Sequence, residues 1–205
     1  MGANIVITAI AMATPIGLGT AQTCASVRAG IARFEELSWR NKKYEPFIMA
    51  AIPDNCLPKL VQEIDDEISL TWREKRMIQL VALTQAELSG AGIKQKIPFL
   101  FGLPQGSGMN QVDSNKILKY IAMQTDLNID LDQSAAIAKG RASGLIAAHA
   151  AYRLLESGQA DIVLAGGCDT YKDLDVLGFL NAESRLKSET NLDSFTPGEG
   201  AGFLL

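Results

Sequence analysis

An alanine- and glycine-rich segment, residues 135–167, most constrains what this chain can fold into. It reads AAIAKGRASGLIAAHAAYRLLESGQADIVLAGG. Its middle has the small apolar residues of a closely packed helix that extends to Ser157, and Gly158 then supplies a helix stop. The ADIVLAGG run that follows is short, apolar and closed by a glycine pair, which is typical of a buried strand. We therefore predict a tightly packed helix that leads into a strand.

Other segments have the composition of strands. NIVITAI is apolar and β-branched, and we expect it to be covered on both faces. PFIMAAI and IPFLFGL are similar runs, and GEGAGFLL leads into a last strand. These strands alternate with helix-like segments, which favours an α/β class with a largely parallel sheet.

The predicted helices have residues that favour helix ends. They are a short helix capped by Thr20 and ended by Gly30, a helix over 69–90 with a Thr71–Glu74 capping box, and a helix through Thr125 capped by Asp113 or Ser114. The chain ends at AGFLL, within an apparent hydrophobic strand. We expect one domain over residues 1–205 that forms one piece of a longer protein.

Composition excludes several classes of function. The net charge is −4 and aromatic residues make up 6%, with Lys and Arg scattered along the sequence. Neither a nucleic-acid footprint nor a polybasic membrane patch is present. No run reaches the ~18 apolar residues of a membrane span, and the N-terminus lacks the basic region of a signal peptide. Cys24, Cys56 and Cys168 are odd in number and outside any CxxC pattern, so we expect a cytoplasmic protein without metal.

Two glycine motifs resemble nucleotide-binding fingerprints but are incomplete. Gly17-x-Gly19 has Gln22 where the third glycine should stand, and Gly106-x-Gly108 fails in the same way. We interpret these glycines as tight corners between a strand and a helix.

A single histidine limits the catalytic chemistry. His149 lies among small apolar residues, so we interpret it as a packed core residue, and chemistry that needs two histidines is excluded within this sequence. Cys168 has Asp169 beside it and no cation adjacent in sequence to stabilise a thiolate, which favours a small buried thiol over a nucleophile.

Acidic residues offer weaker candidates. Glu199 lies between two glycines, and we expect its carboxylate to accept backbone N–H bonds. Residues 65–67 form an acidic run that we interpret as a solvated approach to a helix.

Several segments taken together resemble the β-ketoacyl synthases, the condensing enzymes of fatty-acid and polyketide synthesis. NIVITAIAMATPIGLG resembles their opening strand and turn, and SGLIAAHAAYRLLESGQADIVLAGGCD resembles their nucleophile helix and the strand after it. GEGAG resembles a glycine signature near the end of their N-terminal half. The resemblance implies a thiolase-like fold, with a mostly parallel or mixed five-stranded sheet and helices on both faces. This would be one half of an α-β-α-β-α sandwich.

The resemblance also implies a missing nucleophile. Active members carry a cysteine at the start of the nucleophile helix, and Arg141 stands at the matching position. A guanidinium stays protonated and cannot form a thioester. The family's catalytic histidines belong to the other half, so we expect no catalytic residue here. The segment before GEGAG is abbreviated, with Phe195 keeping an aromatic residue, which casts doubt on the shape of the acyl pocket.

The resulting hypothesis is a non-condensing subunit that resembles a chain-length factor. Its partners would be an acyl carrier protein and either an active ketosynthase in a heterodimer or a second copy in a homodimer. No cofactor is expected, although a phosphopantetheine arm could enter as substrate. Candidate pocket residues are Lys139, Arg141, Ser143, Ser107 and Gly108. Two alternatives are an acyltransferase or decarboxylase with histidines in a second half, and an unrelated α/β ligand-binding domain.

Overall fold

The structure is a computed structural model and describes residues 4–106, 112–188 and 191–205. Its strands are β1 (Ile10–Ala13), β2 (Glu35–Arg40), β3 (Pro46–Met49), β4 (Phe99–Leu103), β5 (Ala135–Ala138), β6 (Leu164–Thr170) and β7 (Glu199–Leu204). The main sheet has five strands in the order β1-β7-β6-β4-β5, and β2 pairs with β3 in a separate antiparallel sheet.

The helices lie between these strands along the chain. They are α1 (Thr20–Arg28), α2 (Gln62–Asp65), α3 (Trp72–Leu83), α4 (Gln85–Ser89), α5 (Ser114–Gln124), α6 (Ser143–Glu156) and α7 (Leu174–Ala182), with 3-10 turns at Asp54–Cys56 and Gly140–Ala142. In the described parts of the chain, no helix is both long enough and apolar enough to cross a membrane.

The main sheet is mixed. β4 runs parallel to β5 and β6, whereas β7 runs antiparallel to β1 and β6. The prediction of a mixed five-stranded sheet is confirmed, and the sheet is less parallel than its alternating strands and helices suggested.

Alternation along β4 separates two cores. Phe99 and Phe101 face α3 and α5 and pack against Phe203 of β7, with ring centroids 5.5 and 6.1 Å from that of Phe203. Leu100 points to the opposite face and packs with Ala147 and Ala151 of α6. Successive strand side chains point to opposite faces, so one strand serves both layers. The predicted helices on both faces are confirmed.

A glycine in β4 brings α6 against the sheet backbone. A Cβ added at Gly102 would lie 2.7 Å from the backbone nitrogen of Gly144 and from the carbonyl carbon of Ser143. This distance is far below a normal van der Waals contact. The start of α6 therefore rests directly on β4 because position 102 has no side chain.

Local capping signals in the sequence are confirmed. The Thr71–Glu74 capping box forms at the start of α3, and the Lys116 N–H donates to Asp113 Oδ1 at 3.2 Å. Gly158, at the end of α6, has a φ of +69°, which glycine adopts without strain.

Three predictions about the elements were wrong. NIVITAI is not a doubly covered strand, since β1 begins only at Ile10 and the Val6 side chain is 67% exposed. Thr20 does not cap α1, because Gly19 holds that position and the Thr20 N–H and hydroxyl donate to Glu87. The helix predicted over 69–90 ends at Leu83 and restarts as α4.

The break between α3 and α4 has a local cause. The Thr84 hydroxyl is buried and donates to the Val81 carbonyl at 2.7 Å. Such hydroxyls compete with the backbone for helix carbonyls, which weakens the regular ladder at that point. Strand β2 was not predicted, because its EELSWR sequence is mostly polar and exposed.

Candidate functional site

Three adjoining cavities lie between the start of α6 and the ends of β6 and β7 nearest to it. Their volumes are about 530, 410 and 370 Å³, and Arg141 and Asp169 line all three. Tyr171 lines the first two, and α7 contributes Val176, Phe179 and Leu180 to the second. We call this group of cavities the α6 cavity.

The turn before α6 is fixed by Ser143. Its hydroxyl donates to the Leu103 carbonyl at 2.7 Å and accepts the Lys139 N–H at 2.8 Å. The side chain is buried, and Gly140 adopts a φ of +63° that favours glycine in this turn. The structure places Ser143 in the lining of the third cavity, where its hydroxyl is already engaged in holding α6 to β4.

The two predicted cations differ in position. Arg141 is exposed, lies in the 3-10 turn and lines the α6 cavity. Among the described residues, no carboxylate forms an ion pair with Arg141. Lys139 is also exposed but is not part of the cavity wall. Ser107 and Gly108 lie outside the described residues.

Asp169 and Glu199 are the acidic residues that line the α6 cavity, and Asp169 lines all three of its parts. Asp169 Oδ1 accepts from Arg73 Nη2 at 2.8 Å and from the Thr170 N–H at 2.7 Å. Arg73 is buried, and its Nε also donates to the Thr170 carbonyl. Burial raises the pKa of Asp169, and Arg73 and the Thr170 N–H oppose that rise. The positive charge of Arg73 at the cavity wall is therefore paired with Asp169.

Beneath this wall, Glu199 and Arg76 form a buried ion pair. Arg76 Nε donates to Glu199 Oε2 at 2.7 Å and Nη2 donates to Oε1 at 2.6 Å, with the two side chains only 2% and 0% exposed. The Ile52 N–H and the Thr170 hydroxyl also donate to the Glu199 carboxylate. Hydrogen bonds and charge from Glu199 outweigh burial and raise the pKa of Arg76. The predicted backbone bond to Glu199 is confirmed.

Asp54 and Lys172 extend the pair towards the surface. Asp54 Oδ1 accepts from Arg76 Nη1 at 2.7 Å and from Lys172 Nζ at 2.6 Å. Partial burial works against ionisation of Asp54, but its bonds to Lys172 and Arg76 prevail and lower its pKa. We call Arg76, Glu199, Asp54, Lys172 and Thr170 the buried network.

The thiol nearest to the cavity is Cys168, which follows the glycine pair of β6. It is 5% exposed, and its sulfur lies 3.7 Å from the Met77 carbonyl oxygen. Burial raises its pKa well above the ordinary value, and the negative charges of Asp169 and Glu199 add to that effect. The prediction that Cys168 is buried is confirmed, and its raised pKa favours the protonated thiol.

The prediction for His149 was wrong. Its side chain lies on the exposed face of α6, not in the core, and that face also carries Leu145 and Tyr152. Helix α6 buries Ser143 and a narrow stripe of alanines against β4 and β6. The histidine lies outside that stripe.

Acidic residues 65–67 are largely solvated, as predicted. Glu67 accepts from Ser69 and from the Tyr120 hydroxyl, and these bonds lower its pKa to about 2. The described residues contain no group of three or more acidic, histidine or cysteine side chains placed to hold a metal.

The sequence analysis did not identify the two buried arginines of α3 as residues of the site. Arg73 and Arg76 are three residues apart, so they lie on one helix face, and that face is otherwise apolar and buried. Two arginines on a buried helix face need acidic partners, so their presence in an apolar face was the sequence feature that could have indicated buried ion pairs. Their partners Asp169 and Glu199 are 96 and 123 residues away, so spacing alone could not identify them.

Comparisons with known proteins agree with the family resemblance seen in the sequence. Residues 133–205 match the family model described as the β-ketoacyl synthase, N-terminal domain. A reducing polyketide synthase, hmp8 of Hypomyces subiculosus, is 37% identical over 79 residues, which are 35% of this chain and 3% of that protein. The chain therefore spans a small part of its curated relative.

Solved ketosynthases have the same fold over the whole chain. The ishigamide ketosynthase/chain length factor gives a TM-score of 0.73 at 14% identity, covering 100% of this chain and 58% of that one. A type II polyketide ketosynthase in complex with its acyl-carrier protein, AntDE:AntF, gives 0.71 at 15% identity with the same coverage. The predicted resemblance is supported: residues 133–205 match the N-terminal domain of β-ketoacyl synthases, and the chain has the thiolase-like fold of solved ketosynthases.

Proposed function

We propose that this ketosynthase-like chain serves fatty-acid or polyketide synthesis as a partner subunit that forms no acyl-cysteine. One observation carries the proposal. At the start of α6, where the family resemblance places the nucleophile, the cavity is lined by Arg141. A permanently charged guanidinium cannot accept an acyl group as a thioester.

No described thiol takes over that role. Cys168 lines the third cavity, but its sulfur is buried and its pKa is raised. Acyl transfer to cysteine needs the thiolate. Substitution at one position thus leaves the cavity without a competent sulfur nucleophile.

Pairing with another protein is supported by the surface of α6. The exposed apolar residues on that helix include Leu145 at 78%, Tyr152 at 46% and Ile146 at 39%. Clustered apolar side chains on one helix face favour a protein contact. The ishigamide protein combines a ketosynthase with a chain length factor, and AntDE binds an acyl-carrier protein. We propose an intact ketosynthase as the partner and an acyl carrier protein as the carrier.

Acylation tests the proposal directly. The purified chain is incubated with an acyl-carrier-protein thioester and examined by intact-protein mass spectrometry, where we expect no covalent adduct. In Arg141→Cys, an adduct at position 141 is expected if only the nucleophile is missing. Cys168→Ala in both backgrounds is the matched control. An adduct on Cys168 of the unmodified chain contradicts the proposal.

Pairing is tested by mixing this chain with a purified ketosynthase that carries the nucleophilic cysteine. We expect a stable complex by size-exclusion chromatography with light scattering, and its loss in Leu145→Asp. Ile68→Asp is the control, because Ile68 is 98% exposed on the loop before α3, away from α6. Equal complex formation by both variants would remove α6 from the interface.

A further inference from the structure

The charge of the α6 cavity does not balance. Arg73, Arg141 and Arg185 line its second part, and Asp169 is the acidic residue there. Arg73 is matched by Asp169 at 2.8 Å, whereas Arg141 and Arg185 have no ion pair with any described carboxylate. Two unmatched guanidinium groups face one concave space, which favours occupation by an anion.

Apolar side chains line the α6 cavity together with these cations. Val176 and Leu180 of α7 are buried, and Phe179 is 55% exposed at the cavity's edge. Tyr171 and Phe195 pack edge to face with ring centroids 5.7 Å apart. A small inorganic ion would leave these surfaces uncovered, whereas an apolar chain would bury them.

Arg185 lines the cavity and also contacts an aromatic ring. Its guanidinium carbon lies 6.0 Å from the centre of the Phe195 ring, within the range of a cation–π contact. This contact orients the guanidinium over an aromatic wall of the cavity without neutralising it. The same space therefore offers both unpaired positive charge and apolar surface.

We infer that the α6 cavity binds an amphiphilic carboxylate reversibly, with its head group on Arg141 and its apolar chain along α7. A guanidinium donates two parallel hydrogen bonds to a carboxylate, which a neutral head group cannot accept as strongly. The inference rests on the proposed function in one respect, namely that Arg141 replaces a nucleophile. It adds the ligand class of that site, and no covalent step is involved.

Calorimetric titration of the purified chain tests this inference with octanoate, octanol and octyl phosphate. We expect octanoate to bind at least about tenfold more tightly than octanol, because the neutral head group lacks the charge-assisted bonds. In Arg141→Gln, the Kd for octanoate should rise about 10- to 100-fold. Arg141→Lys should give an intermediate loss, since the charge remains and the paired donors do not.

Matched controls separate the site from general anion binding. Arg153→Gln removes an exposed arginine at the other end of α6, where it pairs with Glu156 at 2.7 Å, and should leave the Kd unchanged. Phe179→Ser should weaken octanoate and octanol alike, because it shortens the apolar wall. An unchanged Kd in Arg141→Gln, or equal losses in Arg141→Gln and Arg153→Gln, overturns the inference.

The titration with octyl phosphate distinguishes a phosphate ligand from a carboxylate ligand. Stronger binding of octyl phosphate than octanoate, lost in Arg141→Gln, would assign the site to the phosphate of a carrier arm and overturn the carboxylate assignment. Failure of the proposed function has a separate signature, a covalent adduct on Cys168 in the acylation experiment. Each conclusion can therefore fail while the other stands.

Discussion

Arg76 and Arg141 lie in neighbouring parts of the molecule and illustrate two opposite uses of arginine. Arg76 is 2% exposed and donates to Glu199, Asp54 and the Ile52 carbonyl. Arg141 is exposed at the cavity and pairs with no described carboxylate. A buried guanidinium is stable only when its donors are satisfied, whereas an exposed one keeps its donors available. We expect the first to govern stability and the second binding.

The largest effect is expected from breaking the buried pair. Glu199→Ala removes the buried carboxylate from Arg76 and leaves the exposed Asp54 as its remaining ion-pair partner, which should lower the free energy of unfolding by up to about 3–5 kcal/mol. Urea denaturation followed by circular dichroism measures this loss. Glu156→Ala is the control, because its pair with Arg153 is exposed and should contribute at most about 1 kcal/mol. Similar losses for both variants would contradict the importance of burial.

A smaller loss is expected from the hydroxyl that joins the network to β6. Thr170 is fully buried, and its hydroxyl donates to Glu199 and accepts the Lys172 N–H. Thr170→Val removes both bonds and should cost about 2 kcal/mol in the same denaturation assay. Thr125→Val is the matched control, since that buried hydroxyl only donates to a carbonyl of its own helix. The two losses should differ clearly.

The pH dependence of stability tests the contribution of Asp54, the exposed member of the buried network. The pKa of Asp54 is lower in the folded protein, so its contribution is present at neutral pH. That contribution disappears as the pH falls through the folded-state value. The Asp54 side chain is 70% exposed, so we expect less than about 1 kcal/mol. In Asp54→Asn, the stability profile should fall less steeply below about pH 4 than in the parent chain. Parallel acid profiles would show that Asp54 is not stabilised by its partners.

The smallest effect is expected at the cavity. Arg141→Gln should change the free energy of unfolding by no more than about 0.5 kcal/mol, because the side chain is exposed and unpaired. A loss comparable to that of Glu199→Ala would mean that Arg141 is part of the folded framework. Its role in ligand binding would then need another explanation.

Sequence patterns predicted those features that depend on neighbouring residues. The capping box at Thr71, the stop at Gly158 and the buried strand β4 each have their signal within a few residues. The resemblance to ketosynthases identified the fold and placed Arg141 at a helix start, which the structure shows at the cavity.

Features that depend on distant residues were missed. The Arg76–Glu199 pair joins positions 123 apart, and no local pattern reports such a contact. The exposure of His149 also depends on tertiary packing, because an alanine-rich helix does not reveal which of its faces meets the sheet. The separate β2–β3 ribbon escaped notice because one of its strands is polar and lies outside the main sheet.

The bare backbone at Gly102 has a consequence for how such a protein could diversify. The start of α6 rests on β4 there, and Ser143 ties it to the Leu103 carbonyl. The position of residue 141 is therefore fixed relative to the main sheet. Helix α7 belongs to a different packing cluster. Substitutions on α7 could therefore alter which chain is accepted while the head-group anchor stays in place, so that ligand length and ligand charge evolve as independent traits.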